Sequence, residues 1–301
     1  MKVIDPHVHF WDVDAVPYPW LDEPTLAYSG DNRLLPKRYT IRDLKSEAGP
    51  IEVFRTIDIE ANSGDPLTEA RWLQSQANDR SNEGHPHGIV AQVDLSSAEA
   101  PKRLDELSSI ANLRGVRQIV NRHPERRFNY AARDYLSDPV WRSNLRILAR
   151  HRWSFDLQLY PSQASTALEV ISANLAIPFI VNHGGMFVDR HLQGYREWRA
   201  ALRTLATQPH VQLKISGLAM FDHHWTVESF RPLVLEAIDA FGVERCMFAS
   251  NFPIDRLHGD YSALWYAYRK IVEDLSVDER NSLFIQNAAK VYRLSASDDI
   301  S

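Results

Sequence analysis

Short apolar or β-branched runs recur along the chain at 3–8, 53–59, 88–95, 115–120, 154–159, 178–182, 211–215 and 245–249. Each has the length of a buried strand. Between most of them, apolar residues fall at helical spacing. Asp65-Pro66 and Asp138-Pro139 each place a capping side chain before a residue suited to a first helical turn. Helices are predicted from these two points and over 41–48, 164–173, 195–206, 226–241, 262–275 and 277–292. Ser276 and Glu279 fit a capping box for the last. Strands alternating with helices predict a parallel sheet, and eight such units predict closure into an α/β fold, a (β/α)8 or TIM barrel. An open doubly wound sheet fits less well, because no Gly-x-Gly-x-x-Gly follows any strand. The expectation is one barrel domain over 1–301.

Segment 11–40 breaks the rhythm. It carries Trp11, Pro17, Tyr18, Pro19, Trp20, Pro24, Tyr28 and Pro36. Such a long aromatic loop reads either as a lid or as packing on the barrel rim.

Composition narrows the function classes. The net charge is −5 with no basic block, which argues against a nucleic-acid partner. Cys246 is the only cysteine, so neither a disulfide framework nor a Cys-based zinc site is expected. No run reaches the roughly 20 apolar residues of a membrane helix, nor does the first run resemble a secretory segment. A cytoplasmic protein is the expectation, and aromatic residues near the rim would suit a homo-oligomer.

The chemistry gathers at strand ends, where barrels of this kind hold their sites. His7 and His9, two apart on the first strand, are expected on one face with Asp5. Later strand ends carry Asp58 and Glu60, Gln92 and Asp94, Arg117, Gln118, Asn121 and His123. Then come Asp156 and Gln158, Asn182 and His183 before Gly184-Gly185, Lys214 and Ser216, and Ser250, Asn251 and Asp255. Arg117, His123 and Lys214 place positive charge in an acidic chain, suiting a small anionic or polyhydroxylated substrate. Lys214 could instead pair with Glu60 or Asp58, and Asp156 could be a buried hydrogen-bond partner. Asp222, His223 and His224 could also reach the mouth.

The chain resembles the amidohydrolase superfamily, and within it the group of sugar-lactone and 2-pyrone-4,6-dicarboxylate lactonases. The resemblance rests on Asp5-Pro-His7-Val-His9-Phe-Trp11, Gly115-Val-Arg117-Gln118, Phe155-Asp-Leu-Gln158, Asn182-His183-Gly-Gly, Leu213-Lys214-Ile-Ser216-Gly, Phe248-Ala-Ser-Asn251-Phe-Pro and Asn287-Ala-Ala. It implies a distorted barrel that opens a cyclic ester, with His7, His9 and His183 either holding a divalent metal such as zinc, weakly or not at all, or touching the substrate. Two positions depart from the superfamily pattern. Gln158 stands where metal-dependent members carry a histidine, and Asn251 where the proton-accepting aspartate is usual. An amide can orient water but cannot take its proton. His183, Asp255 and Glu60 are the candidate replacement bases.

The expected reaction is water attack on a sugar-acid or carboxylated lactone. His183 and Asn251 hold the water, and His7 and His9 stabilise the oxyanion through a weakly bound zinc ion or from protonated rings. Glu60, Arg117, Gln118, His123, Gln158 and Lys214 contact the substrate. A metal-dependent decarboxylase of an unsaturated or aromatic acid, or a retired barrel that only binds a sugar acid, are the alternatives.

Overall fold

The computed structural model describes residues 1–22 and 26–294, so Pro24 and the last seven residues lie outside the described part. Eight parallel strands form its centre: β1 (Lys2–Val8), β2 (Glu52–Ile59), β3 (Gly88–Gln92), β4 (Leu113–Arg117), β5 (Ser154–Leu157), β6 (Phe179–Val181), β7 (Val211–Ile215) and β8 (Cys246–Phe248). They neighbour one another in chain order. Val8 bridges Phe252, His9 N–H donates to Phe252 O at 2.8 Å, and Asn251 N–H donates to His7 O at 2.8 Å. The seam that closes the barrel thus runs through the first and last candidate site residues.

The expected strands are all present, and β3, β4 and β5 stop two or three residues earlier than their apolar runs. The remaining residues continue as loops that descend to the mouth. Helices α1 (Ile41–Ala48) and α2 (Pro66–Asn78) begin where the sequence predicts. Thr40 and Asp43 form a capping box for the first, and Asp65 accepts from Thr68 N–H at the second. Helix α3 (Ala100–Leu107) was not anticipated. It spans only two turns, with Ala100, Leu104 and Leu107 buried at i, i+4 and i+7. The chain continues through α4 (Pro139–Leu145), α5 (Leu148–His151), α6 (Ala164–Ser172), α7 (Leu192–Ala206), α8 (Val227–Phe241) and α9 (Tyr261–Ile271). The single helix expected over 277–292 is instead three pieces. A π-helical turn at Ser282–Gln286 separates α10 (Val277–Asn281) from α11 (Asn287–Val291). Asn287 then donates to Val243 O and Cys246 O, both at 2.7 Å, capping the start of β8.

Side-chain alternation divides the strands between two cores. Ile4, Ile57, Ile59, Val90, Ile180 and Met247 fill the barrel interior, closed at its N-terminal end by Ala288, Tyr292 and Leu294. The opposite faces pack on the helices. One polar cluster interrupts the interior. Lys214 Nζ lies 2.5 Å from Asp156 Oδ1, Tyr292 O–H donates to both Asp156 oxygens at 3.0 Å, and Asn182 Nδ2 donates to Asp156 Oδ1 at 3.0 Å.

The described residues of segment 11–40 fold over the mouth. Trp11–Asp12 pairs antiparallel with Arg38–Tyr39, and Leu26–Ala27 with Gly30–Asp31. Trp11 Nε1 donates to Pro36 O at 2.8 Å and Trp20 Nε1 to Ala61 O at 2.7 Å, fastening the segment to itself and to the end of β2. Among the described residues no helix is long and apolar enough to cross a membrane.

Candidate active site

Strict alternation along β1 would turn His7 outward, opposite to Ile4. Register irregularities between Val3 and Ile4 and between Asp5 and Val8 change the phase. Asp5 stays on the outward face and is thereby parted from the histidines it was expected to join. Its carboxyl accepts from Ser250 N–H and from Tyr261 O–H, both at 3.0 Å, and burial lifts its pKa to about 6. His7 remains inside, with its ring centroid 5.0 Å from that of His9 and 4.6 Å from that of His183. The three imidazoles therefore meet at one rim.

His9 has a defined tautomer. Its Nδ1 lies 2.7 Å from Ile59 O, and a carbonyl can only accept, so Nδ1 carries the proton and Nε2 the lone pair. Nε2 faces Asn251 Oδ1 at 3.4 Å. Burial, then Arg117, holds the His9 pKa down at about 3. His7 and His183 are pushed well below the ordinary histidine value, by burial first and by cationic neighbours after it. Burial thus holds all three rings toward the neutral form, which works against the expected oxyanion donation from protonated His7 and His9. Both ring nitrogens of His7 are buried without a hydrogen-bond partner.

His183 follows β6 in a turn whose backbone is left-handed at His183 (φ 53°) and Gly184 (φ 58°). Its Nδ1 lies 3.1 Å from Ser216 Oγ. Gly217 packs directly against the ring, since a Cβ there would sit 2.5 Å from His183 Nδ1. Gly217 was not among the expected site residues; the nearest signal was its place in the Ser216-Gly pair.

The three candidate bases separate. Asp255 is buried behind Asn251, whose Nδ2 donates to Asp255 Oδ1 at 2.7 Å. Burial lifts Asp255 to about 8, so its carboxyl is largely neutral at pH 7 and faces no water in the mouth. Glu60 is occupied: Arg117 Nε donates to Oε1 at 2.5 Å and Asn62 N–H to Oε2 at 2.7 Å. Both carboxyls are thus engaged by protein groups in this geometry. Arg117 also donates to Gln158 Oε1 at 3.2 Å and to Glu60 O at 2.6 Å, so Glu60 and Gln158 orient the guanidinium.

Three expected substrate contacts have other employment. Lys214 is fully buried and bound to Asp156, not to Glu60 or Asp58, and burial brings it down to about 8. Gln118 spends its carbonyl on Leu95 N–H and Trp141 Nε1 and its amide on Asp94, although it borders the cavity. His123 accepts from Glu125 N–H at 3.0 Å and packs edge-on against Phe128 and Tyr160, organising its loop. His223 likewise lies 3.0 Å from Tyr28 O and stacks on His258.

A cavity of about 640 Å³ opens over this rim, and His9, Arg117, Gln158, His183 and Asn251 form its floor. Its walls come from loops: Trp20, Tyr28 and Asn32, then Arg126, Arg127, Asn129, Tyr130 and Tyr135. Tyr28 stacks on Phe221 at 5.1 Å and meets Phe128 and Tyr130, tying 11–40 to two other loops.

The donor set fits a divalent cation poorly. Among the described residues no group of three or more His, Cys, Asp or Glu is arranged to hold a metal ion. The positions that would complete a set around His7, His9 and His183 are the amides Gln158 and Asn251, which are weak zinc ligands. Arg117 and Lys214 add positive charge beside them. The three-histidine metal set is therefore not formed in this geometry.

The closed sheet, with its polar residues gathered at the C-terminal mouth, defines a (β/α)8 barrel with one candidate site. The family model described as Amidohydrolase matches residues 4–294, and the chain belongs to that family. An uncharacterized protein of Sinorhizobium fredii is 42% identical across 98% of this chain and 99% of its own length. An L-fucono-1,5-lactonase of Burkholderia ambifaria is 26% identical over 97% of this chain and 95% of its own. The crystal structure of a Burkholderia multivorans amidohydrolase with bound HEPES is 26% identical and superposes with a TM-score of 0.81, covering 98% of this chain and 100% of that one. The same protein crystallised with bound zinc gives a TM-score of 0.80 at 23% identity and the same coverage.

Proposed function

We propose that the chain hydrolyses the internal ester of a sugar-acid lactone or a related carboxylated lactone. The observation that carries the reading is the His9 Nε2 lone pair, held toward Asn251 at the cavity floor by the bond from Nδ1 to Ile59 O. A water seated on the cavity side against both His9 Nε2 and Asn251 Oδ1 has an acceptor for its proton and a group to orient it. His9 thus takes the role the sequence offered to His183. A ring lowered in basicity by burial regains it when the tetrahedral oxyanion forms nearby, because the negative charge favours imidazolium.

Water attack at the lactone carbonyl forms the new C–O bond, and its proton passes to His9. Arg117 and an N–H of His183 face the developing oxyanion. Collapse breaks the ring C–O bond, and the alkoxide recovers the proton from His9. The aromatic and amide walls around Tyr28, Asn32, Asn129 and Tyr130 suit a polyhydroxylated ring, and segment 11–40 acts as its lid. The lactonase name of the Burkholderia relative, at 26% identity, supports the reaction class.

The test is a pH-indicator assay over a panel of sugar-acid and dicarboxylated lactones, with and without chelator. Turnover is expected in chelator, and His9→Ala is expected to lower kcat about 10²–10³-fold. Full activity in both His9→Ala and His183→Ala on a confirmed substrate would show that these rings are bystanders. Activity restored only by zinc would show that the metal-free route is wrong.

A further inference from the structure

A second cavity, of about 360 Å³, lies at the opposite pole of the barrel. It is bordered by residues that lead into β5, β6 and β7, among them Arg152, Pro178 and His210, and by Lys290 and Arg293 around α11. Among the described residues no carboxylate lines it. Arg114 stands close behind, accepting at its carbonyl from Arg293 Nη2 at 3.4 Å.

Like charges are gathered here at a cost. Burial first, then the charges of Arg114 and Arg152, hold Arg293 below the ordinary arginine range. Arg114 Nε and His210 Nε2 are buried without a hydrogen-bond partner. The backbone adds an independent sign. Arg152 (φ 58°) and Arg293 (φ 52°) both occupy the left-handed region, where glycine or asparagine is the easier choice. Neither position requires an arginine for the turn itself. Among the described residues no carboxylate pairs with Arg152, Lys290 or Arg293; three such cations on one pocket call for a multiply charged anion, and guanidinium forks match the oxygens of phosphate. A single carboxylate would leave most of that charge uncompensated.

We propose that the Arg152–Lys290–Arg293 pocket binds a small phosphoryl-bearing molecule at the end of the barrel remote from the lactonase mouth. The inference is independent of the reaction assigned to the mouth. It is tested on the full chain by calorimetric and thermal-shift titration with inorganic phosphate and pyrophosphate, with citrate as the carboxylate control. Pyrophosphate is expected to bind with one-to-one stoichiometry, to raise Tm, and to weaken steeply with salt. Arg152→Gly and Arg293→Gly are expected to weaken binding at least about 10-fold, a loss of the size that follows removal of a charge-assisted contact. Both variants are expected to keep or exceed the anion-free Tm, because each removes a repelled charge and a strained backbone. Pyrophosphate binding unchanged in both glycine variants, no saturable binding at all, or citrate binding as tightly as pyrophosphate would overturn the assignment.

Discussion

Asn251 presents its side-chain amide to Asp255, with Nδ2 2.7 Å from the Asp255 Oδ1 atom, and its other end to His9 Nε2. The amide therefore links a buried, largely neutral carboxyl to the one imidazole whose tautomer is fixed by backbone. Asp255 stands behind the reacting position and holds Asn251 in place.

Asp255→Asn separates holding from proton transfer. The variant is expected to keep kcat within about 10-fold of the parent, where loss of a true general base costs about 10²–10⁴. Its stability difference carries the sign of the pKa shift. The native Asp255 carboxyl titrates near 8 and the unfolded one near 3.8, so between those values the unfolded state binds fewer protons and folding weakens as pH rises. Asp255→Asn is expected to gain on the parent through that window by about 1 kcal/mol per pH unit, read from urea unfolding at pH 5, 6 and 7.

Gly217→Ala tests the seat of His183. The added Cβ would lie 2.5 Å from His183 Nδ1 and 2.7 Å from Met220 Cε, at a backbone φ of 61°. The ring must shift, and displacements near 1 Å in a reacting group cost about 10²-fold. A fall in kcat of that order with little change in KM is expected, together with about 1 kcal/mol of lost stability. Unchanged turnover would mean that the ring position is immaterial to the chemistry.

Lys214→Met removes one partner of a fully buried ion pair. The uncompensated Asp156 charge is expected to cost about 3–5 kcal/mol, while Lys214→Met/Asp156→Leu recovers most of it. The double variant is expected to keep the parent KM. A KM raised about 10-fold in that folded double variant would restore Lys214 as a substrate contact.

Much of the fold was legible because a parallel barrel buries both faces of each strand, leaving eight apolar runs against amphipathic spacers. Helix α1 and the starts of α2 and α4 follow from Thr40, Asp65 and Asp138, since capping is a local interaction. Helix α3 escaped because two turns contain too few apolar positions to show a period. The π turn at Ser282–Gln286 escaped because it answers to Asn287 reaching the carbonyls at β8, a contact 41 to 44 residues distant.

The site divides along the same line. Which residue types stand at the strand ends, and that Gln158 and Asn251 replace a histidine and an aspartate, was determined by the sequence alone, because a (β/α)8 chain delivers every strand end to one mouth. Which of those residues reach the cavity was decided only in three dimensions. The phase change in β1 turned His7 inward and left Asp5 outward, Arg117 took Glu60, and Asp156 took Lys214. Charges brought together from distant strands in a low-dielectric interior pair with whichever partner lies within reach, and that distance is a property of the closed barrel rather than of spacing along the chain.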